Sequence, residues 1–151
     1  GGFDESFIRN QDAELNVRLV AAGGQVWVDP RMVVAYLPRP SLSTLARQFY
    51  QYGWWRRITI QRHSVVQPRQ FIPPIVCGGV VLAVLAAPAY PVTLLVPATY
   101  TAALATAAVQ ADDLTAVERT TMVAALSTMH FSWSAGFVLS TGAIIKERLR
   151  S

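Results

Sequence analysis

Two regimes of hydrophobic patterning divide the chain near Gln70. Before it, apolar residues recur at helical or alternating spacing among polar ones; beyond it, Val, Ala, Leu, Ile and Thr run almost uninterrupted. Leu15, Leu19 and Ala22 recur at i, i+4 and i+7, Asn10 is an acceptable N-cap and Gly23-Gly24 supplies a stop, so the spacing predicts a helix over 11–22. Gln25-Val26-Trp27-Val28-Asp29 then alternates with a β-branched and aromatic bias and ends at Pro30. Together with the second run, Met32-Val33-Val34-Ala35-Tyr36, it predicts two strands. Pro38 and Pro40 punctuate, and Ser41 or Ser43 caps a further helix whose apolar stripe is Leu45, Phe49, Tyr52 and Ile58, with a kink expected at Gly53.

The second regime reads as membrane. Residues 71–87 and 90–109 are almost all apolar and are separated by Pro88 and Pro91; each approaches the ~20 residues that cross a bilayer. They predict a helical hairpin with both ends on the cytoplasmic side. A polar link over 110–119, containing Asp112, Asp113 and Glu118, leads to a third apolar stretch at 121–145 interrupted by Ser, Thr, His130 and Trp133. A third membrane helix is the preferred reading there. A full span would place Lys146-Glu147-Arg148-Leu149-Arg150 against the charge rule, a conflict that an interfacial or re-entrant segment removes.

Composition agrees with a membrane part: 52% of residues are hydrophobic and 15% charged, with a mean hydropathy of +0.33. The net charge of +4 comes mainly from seven arginines (31, 39, 47, 56, 57, 62, 69) placed just ahead of the first apolar run, which puts the first half on the cytoplasmic side. Read as a solvated face they would say nothing of topology. The single cysteine, Cys77, excludes a disulfide framework and a cysteine metal site and reads as a small buried hydrophobe. His63 and His130 lack ligand spacing, so no metal site is expected; His130 and Trp133 are expected to make a polar contact inside the helix bundle. No signal-peptide pattern is visible, and a start inside a glycine turn reads as a truncated chain.

Chemistry concentrates at the beginning. Asp4, Glu5 and Asp12 follow a glycine pair, and Asp12 stands where a helix begins, so free N–H groups and the helix dipole hold it ionised and aimed. Asp4 and Glu5 read as residues that cap or orient the loop, and Glu14 with Arg18, four apart, as a structural ion pair. The helix after Ser41, with Tyr50, Tyr52, Trp54 and Trp55 among arginines, has the composition of an interface helix.

The ordered set Gly1-Gly2-Phe3-Asp4-Glu5, Asn10-Gln11-Asp12-Ala13-Glu14-Leu15, Arg18-Leu19, Gly23-Gly24 and Val28-Asp29-Pro30 resembles the second half of the GT-A catalytic domain of family 2 glycosyltransferases. Among these it is similar to membrane-attached bacterial enzymes of the succinoglycan-biosynthesis type, and His130 to Phe137 resembles a C-terminal segment of the same group. The resemblance implies an α/β fold, the C-terminal part of a GT-A domain, followed by transmembrane α-helices. It divides the chain into a catalytic part at 1–40, an amphipathic interface helix at 41–69 and a membrane region of two or three helices at 70–151.

In that family an acidic pair opens the helix and its Asp is the base that deprotonates the acceptor. Here the pair reads Gln11-Asp12, so the base maps to Asp12, with Gln11 in place of the first acid. Gly1 and Gly2 map to the acceptor-side loop. Gln51-Tyr52-Gly53-Trp54-Trp55 matches the Gln and final Trp of a Gln-x-x-Arg-Trp motif, but Trp54 stands where the motif has Arg, which counts against processive polymerisation. Gln48, Gln51, Trp55, Arg56 and Arg57 are the candidates for contact with a diphosphate or a lipid-linked acceptor; the same helix would equally serve as a membrane-surface element without substrate contact.

The implied function is inverting transfer of a sugar from a nucleotide-sugar donor to a lipid-linked or glycan acceptor in bacterial polysaccharide biosynthesis, at the inner membrane, with membrane lipids and no nucleic acid as partners. The donor-binding units and the Asp-x-Asp motif for a divalent cation, Mg or Mn, are expected outside this chain, which would leave it inactive alone. The alternative is a non-catalytic membrane anchor or interaction subunit paired with a separately encoded N-terminal half.

Overall fold

The computed structural model describes residues 2–35 and 39–148, with side chains through Thr141. Among the described residues there are five helices: α1 (Gln11–Ala21), α2 (Leu42–His63), α3 (Ile72–Ala86), α4 (Leu95–Gln110) and α5 (Ala116–Arg148), with 3-10 turns at Pro68–Phe71 and Pro91–Leu94 leading into α3 and α4. There is no strand among the described residues, which overturns the α/β expectation. The segments 25–29 and 32–35 carry no regular secondary structure and are largely open to solvent: Trp27 is 86% and Val33 92% exposed. A strand needs a neighbour to take its backbone N–H and C=O groups, and no described segment lies beside this one to do so. Tyr36, the last residue of the second expected strand, lies outside the described residues.

The helix ends follow from local chemistry. Asn10 occupies the N-cap position of α1 but in a left-handed conformation (φ 59°) and without a capping side-chain bond; its Nδ2 instead donates to the Tyr52 carbonyl of α2, 3.3 Å away. At the other end Gly23, at φ 82°, lets its own N–H and that of Gly24 turn back to the carbonyls of Val20 and Leu19. Ser41 caps α2 by accepting from the Thr44 N–H. A reciprocal box opens α5: Glu118 Oε2 accepts from the Thr115 N–H and hydroxyl, and the Glu118 N–H donates to Thr115 Oγ1.

Three segments, Pro68–Ala86, Pro91–Gln110 and Ala116–Thr141, are long and apolar enough to cross a membrane. Their outward faces fit that solvent, since Ile75, Leu82, Leu85, Leu95 and Val109 are all exposed. The serines and threonines that interrupt α5 are satisfied within it: Ser127, Thr128 and Ser134 donate to the carbonyls four residues back. His130 shares a 3.1 Å hydrogen bond with the Tyr100 hydroxyl of α4, the expected polar contact within the bundle. Cys77 is buried and free.

The most extensive packing joins α2 to α5. α2 runs unbroken through Gly53, which is a point of close approach to α5, where an added Cβ would lie 2.0 Å from the Trp133 carbonyl oxygen. Gly136 is its counterpart on α5, with a Cβ position 2.0 Å from the Tyr50 carbonyl oxygen. Around this crossing Trp133 stacks on Phe137, and Phe71 meets the same ring edge-on.

Candidate functional site

Loop 2–9 and α1 are fastened to the C-terminal half of α2 by one apolar wedge and two polar clusters. Phe7 is fully buried, lies against Trp55 at 5.2 Å between ring centroids, and is covered by the Arg62 guanidinium. Asp4 Oδ1 accepts from the N–H and hydroxyl of Ser6, while Arg62 Nη1 donates to Asp4 Oδ2 and to Ser6 Oγ, each at 2.6 Å. Those bonds, the Ser6 hydroxyl foremost, hold the Asp4 carboxyl below the usual range. Asp4 therefore orients the loop, as expected, and Glu5 is exposed.

The second cluster centres on Glu14, whose side chain is fully buried. Arg18 grips it with two bonds, Nε to Oε1 at 2.7 Å and Nη2 to Oε2 at 3.0 Å, and His63 Nε2 from α2 lies 2.8 Å from Oε1. The Arg18 hydrogen bonds push the Glu14 carboxyl below the usual range against the cost of burial, and the Arg18 and His63 charges add to them. The pair with Arg18 follows from its spacing; His63 joins from 49 positions on, and nothing local announces it.

Asp12 is exposed on the first turn of α1 and lines an open cleft of about 450 Å³. With it the cleft is lined by Arg9 and Asn10 of the preceding loop, Phe49, Tyr52 and Arg56 of α2 and Trp133 of α5. Arg56 is half-buried. Burial pushes its guanidinium below the usual arginine value, the nearby Arg69 charge acts in the same direction, and Asp12 opposes both. A carboxylate and a guanidinium thus share one open cleft without a direct bond, leaving both able to meet a ligand.

The other candidate residues separate from this pair. Gln11 turns inward and donates to the Phe7 carbonyl, and Gly2, exposed, accepts from Arg18 through its carbonyl. Gly1 lies outside the described residues. Gln48 is buried, accepting from Arg39 Nε at 2.8 Å and donating to the Tyr52 hydroxyl at 2.6 Å. Trp55 is the Phe7 partner, and Arg57 points to α5, donating to Thr141 Oγ1 and lying over the Phe137 ring. Gln51 lines a separate cleft with Arg9, Arg39 and Arg47. Successive residues on a helix are rotated by about 100°, so the adjacent run Trp55-Arg56-Arg57 cannot face one ligand together.

Phe49, Tyr52 and Trp133 line the Asp12 cleft although motif reasoning did not assign them to the site, and Arg69 reaches it only through its charge on Arg56. Trp133 reads as part of the bundle until the crossing at Gly53 and Gly136 places it beside Asp12, and Arg69 reads only as one of several positive charges next to a span. Among the described residues no group of three or more His, Cys, Asp or Glu side chains is placed to hold a metal ion.

No family model matches the chain, and no solved structure matches it. Two curated proteins do. The succinoglycan biosynthesis protein ExoA of Rhizobium meliloti (strain 1021) is 34% identical over 142 residues, which cover 91% of this chain and 42% of that protein. From Methanococcus voltae, the dolichyl N-acetyl-alpha-D-glucosaminyl phosphate 3-beta-D-2,3-diacetamido-2,3-dideoxy-beta-D-glucuronosyltransferase is 32% identical over 60 residues, 40% of this chain and 19% of that enzyme. The chain spans less than half the length of either relative, and the two likenesses together support a glycosyltransferase family.

Proposed function

We propose that the chain is the acceptor-side, membrane-attached part of an inverting family 2 glycosyltransferase that moves a sugar from a nucleotide-sugar donor to a lipid-linked or glycan acceptor in polysaccharide biosynthesis. The observation that carries the reading is Asp12: an exposed carboxylate on the first turn of a helix, in an open cleft opposite a half-buried arginine. In the reaction the acceptor hydroxyl oxygen attacks the anomeric carbon, and its proton passes to Asp12. The new C–O bond forms as the bond to the nucleoside diphosphate breaks, and the electron pair leaves on the phosphate oxygen. Attack from the face opposite the leaving group inverts the centre. Arg56, whose charge is poorly solvated in this cleft, fits a phosphate group of one substrate.

A divalent cation, Mg or Mn, would serve the donor diphosphate through ligands supplied elsewhere in the full-length enzyme. The names of the two relatives, one a succinoglycan biosynthesis protein and one a transferase named for a dolichyl-linked sugar phosphate, support the transferase class. The arginines ahead of the first span support a cytoplasmic, inner-membrane placement of the cleft. Asp12→Asn in the full-length enzyme is expected to lower transfer by about 10²- to 10⁴-fold, with donor binding retained. Turnover within a few-fold of the parent would remove Asp12 from the role of base.

A further inference from the structure

A second cleft, of about 590 Å³, adjoins the Asp12 cleft, and Arg9 lines both. Arg9, Arg39 and Arg47 supply its charge, Gln48, Gln51 and Thr44 complete its polar wall, and no Asp or Glu among the described residues lines it. One of the three guanidiniums is held in place. Buried Gln48 accepts from Arg39 Nε at 2.8 Å and donates to the Tyr52 hydroxyl at 2.6 Å, and Tyr52 lines the Asp12 cleft. Arg39 is thus aimed by a buried amide that is itself fixed from the neighbouring cleft.

The donors of this wall are left over. Arg39 is gripped through Nε alone, which leaves its two terminal nitrogens without a hydrogen bond among the described residues, and the side chains of Arg9, Arg47 and Gln51 make no hydrogen bond or ion pair there. Three guanidiniums around one cleft favour an anion, and their N–H forks suit carboxylate and phosphate alike. Position decides between the two. In an inverting displacement the phosphate departs on the face of the anomeric carbon opposite the attacking hydroxyl, so the base stands on the acceptor's side. Arg9 belongs to the loop just ahead of Asp12, and the cleft it opens into continues from the wall of the base. An anion there belongs to the acceptor rather than to the leaving group. The Gln51 amide and the Thr44 hydroxyl beside the guanidiniums match the hydroxyls of a sugar ring, which a bare phosphate lacks.

We propose that this cleft binds a carboxylate-bearing sugar, a uronate-type residue next to the attacked one in an acidic acceptor glycan. Its carboxylate meets Arg39 and Arg47, its hydroxyls meet Gln51 and Thr44, and the glycan continues past Arg9 to Asp12. The part of this glycan as acceptor rests on the transferase reading; its binding does not.

The test is isothermal titration calorimetry of the chain in detergent micelles, at fixed ionic strength, with trigalacturonate, its neutral counterpart galactotriose and inorganic pyrophosphate. Trigalacturonate should bind at least about tenfold more tightly than either of the others, because galactotriose lacks the carboxylates and pyrophosphate lacks the hydroxylated rings. Arg39→Gln and Arg47→Gln, both at exposed positions, should each weaken trigalacturonate about tenfold, while the same charge change at Arg31, outside the cleft, leaves it unaltered. Gln48→Met changes no charge, yet with helix content unchanged by circular dichroism it should weaken trigalacturonate by a few-fold, because Arg39 loses its aim. Galactotriose binding as tightly as trigalacturonate would remove the carboxylate from recognition, and pyrophosphate binding as tightly would reduce the site to a plain anion cleft. Either result overturns the proposal, as does indifference to Arg39→Gln and Arg47→Gln, or a folded Gln48→Met that binds like the parent. Asp12→Asn should retain trigalacturonate binding, so the subsite and the assignment of the base fail separately.

Discussion

Helix α2 is held on its two sides by different physics. Toward α5 it is held by backbone proximity: Gly53 and Gly136 let the two main chains approach until an added Cβ would meet carbonyl oxygens at 2.0 Å, and aromatic rings fill the flanks. Toward α1 it is held by Phe7 and by charge: Glu14 with Arg18 and His63, and Asp4 with Arg62. The first contact contains no ion pair among the described residues, Arg57 meeting only Thr141 and the Phe137 ring, and should respond little to pH and salt; the second is built on ion pairs and should respond to both. The cleft lies between them, with Arg56 and Trp133 on the rigid side and Asp12 on the side that titratable groups keep in place. Arg56 is thereby fixed relative to the membrane helices, and Asp12 is the wall whose position can be altered without unfolding the bundle.

The largest effect expected is at the crossing. Gly53→Ala or Gly136→Ala must move a backbone carbonyl rather than the end of a flexible side chain, and should cost about 3 kcal/mol, the upper end of what overpacking typically costs, or separate α2 from α5. Thermal unfolding followed by circular dichroism in micelles measures it. Gly78→Ala and Gly79→Ala are the matched controls in α3, where a Cβ meets nothing within 4 Å and the change should be neutral or slightly stabilising. If all four behave alike, close approach is not what joins the two helices.

A smaller effect, confined to α1, is expected from Glu14→Gln. The buried carboxylate is replaced by an amide with a single acceptor oxygen, which cannot accept both Arg18 bonds, so α1 amides should exchange hydrogen about tenfold faster while those of α5 are unchanged. The parent protein carries the matching pH dependence. Because the Glu14 carboxyl sits lower in the folded protein than in the unfolded chain, its contribution is complete above the ordinary glutamate range and is lost as the pH falls through the lowered folded value. Protection of the α1 amides, taken relative to the intrinsic exchange rate at each pH, should therefore fall in acid in the parent, and that part of the fall should be absent in Glu14→Gln.

The two sides of α2 were also unequally legible. Helical periodicity, Gly23-Gly24 and Ser41 locate α1 and α2 because caps and stripes are local properties. The apolar runs and the prolines at 88 and 91 separate α3 from α4 for the same reason. Gly53 shows the limit: a glycine in a helix reads as a weak point until a second glycine, 83 residues on, is placed against it. The extended segment around Trp27 and Val33 has strand chemistry but no neighbouring edge, and alternation alone does not make a strand. At the site, the resemblance to a family placed Asp12 and Arg56 on the list, and the structure puts them in one cleft. It also placed Gln11, Gln48, Trp55 and Arg57 there, and each of these is turned into a packing or hydrogen-bonding contact. A motif preserves order along the chain, whereas the face of a helix that meets a ligand depends on which neighbours occupy the other faces.

The smallest effect belongs to the exposed member of the polar side. Arg62→Gln removes the ion pair with Asp4, whose two side chains are 45% and 32% exposed, and also removes the guanidinium from the Phe7 ring. Solvent screens such a pair, so global unfolding should shift little. Loop 2–9 has a tighter dependence, because Asp4 and Ser6 both meet the same Arg62 nitrogen and Phe7 follows directly. Limited proteolysis of that loop should quicken by a few-fold in Arg62→Gln, and the difference from the parent should shrink as salt rises toward 1 M, where charges are screened within about 3 Å. Added salt that quickens cleavage of the parent but not of Arg62→Gln assigns the loop's hold to this pair. Cleavage unchanged in Arg62→Gln at low salt would assign it to Phe7 and Trp55 alone, and the charged side of α2 would then reduce to the buried Glu14 cluster.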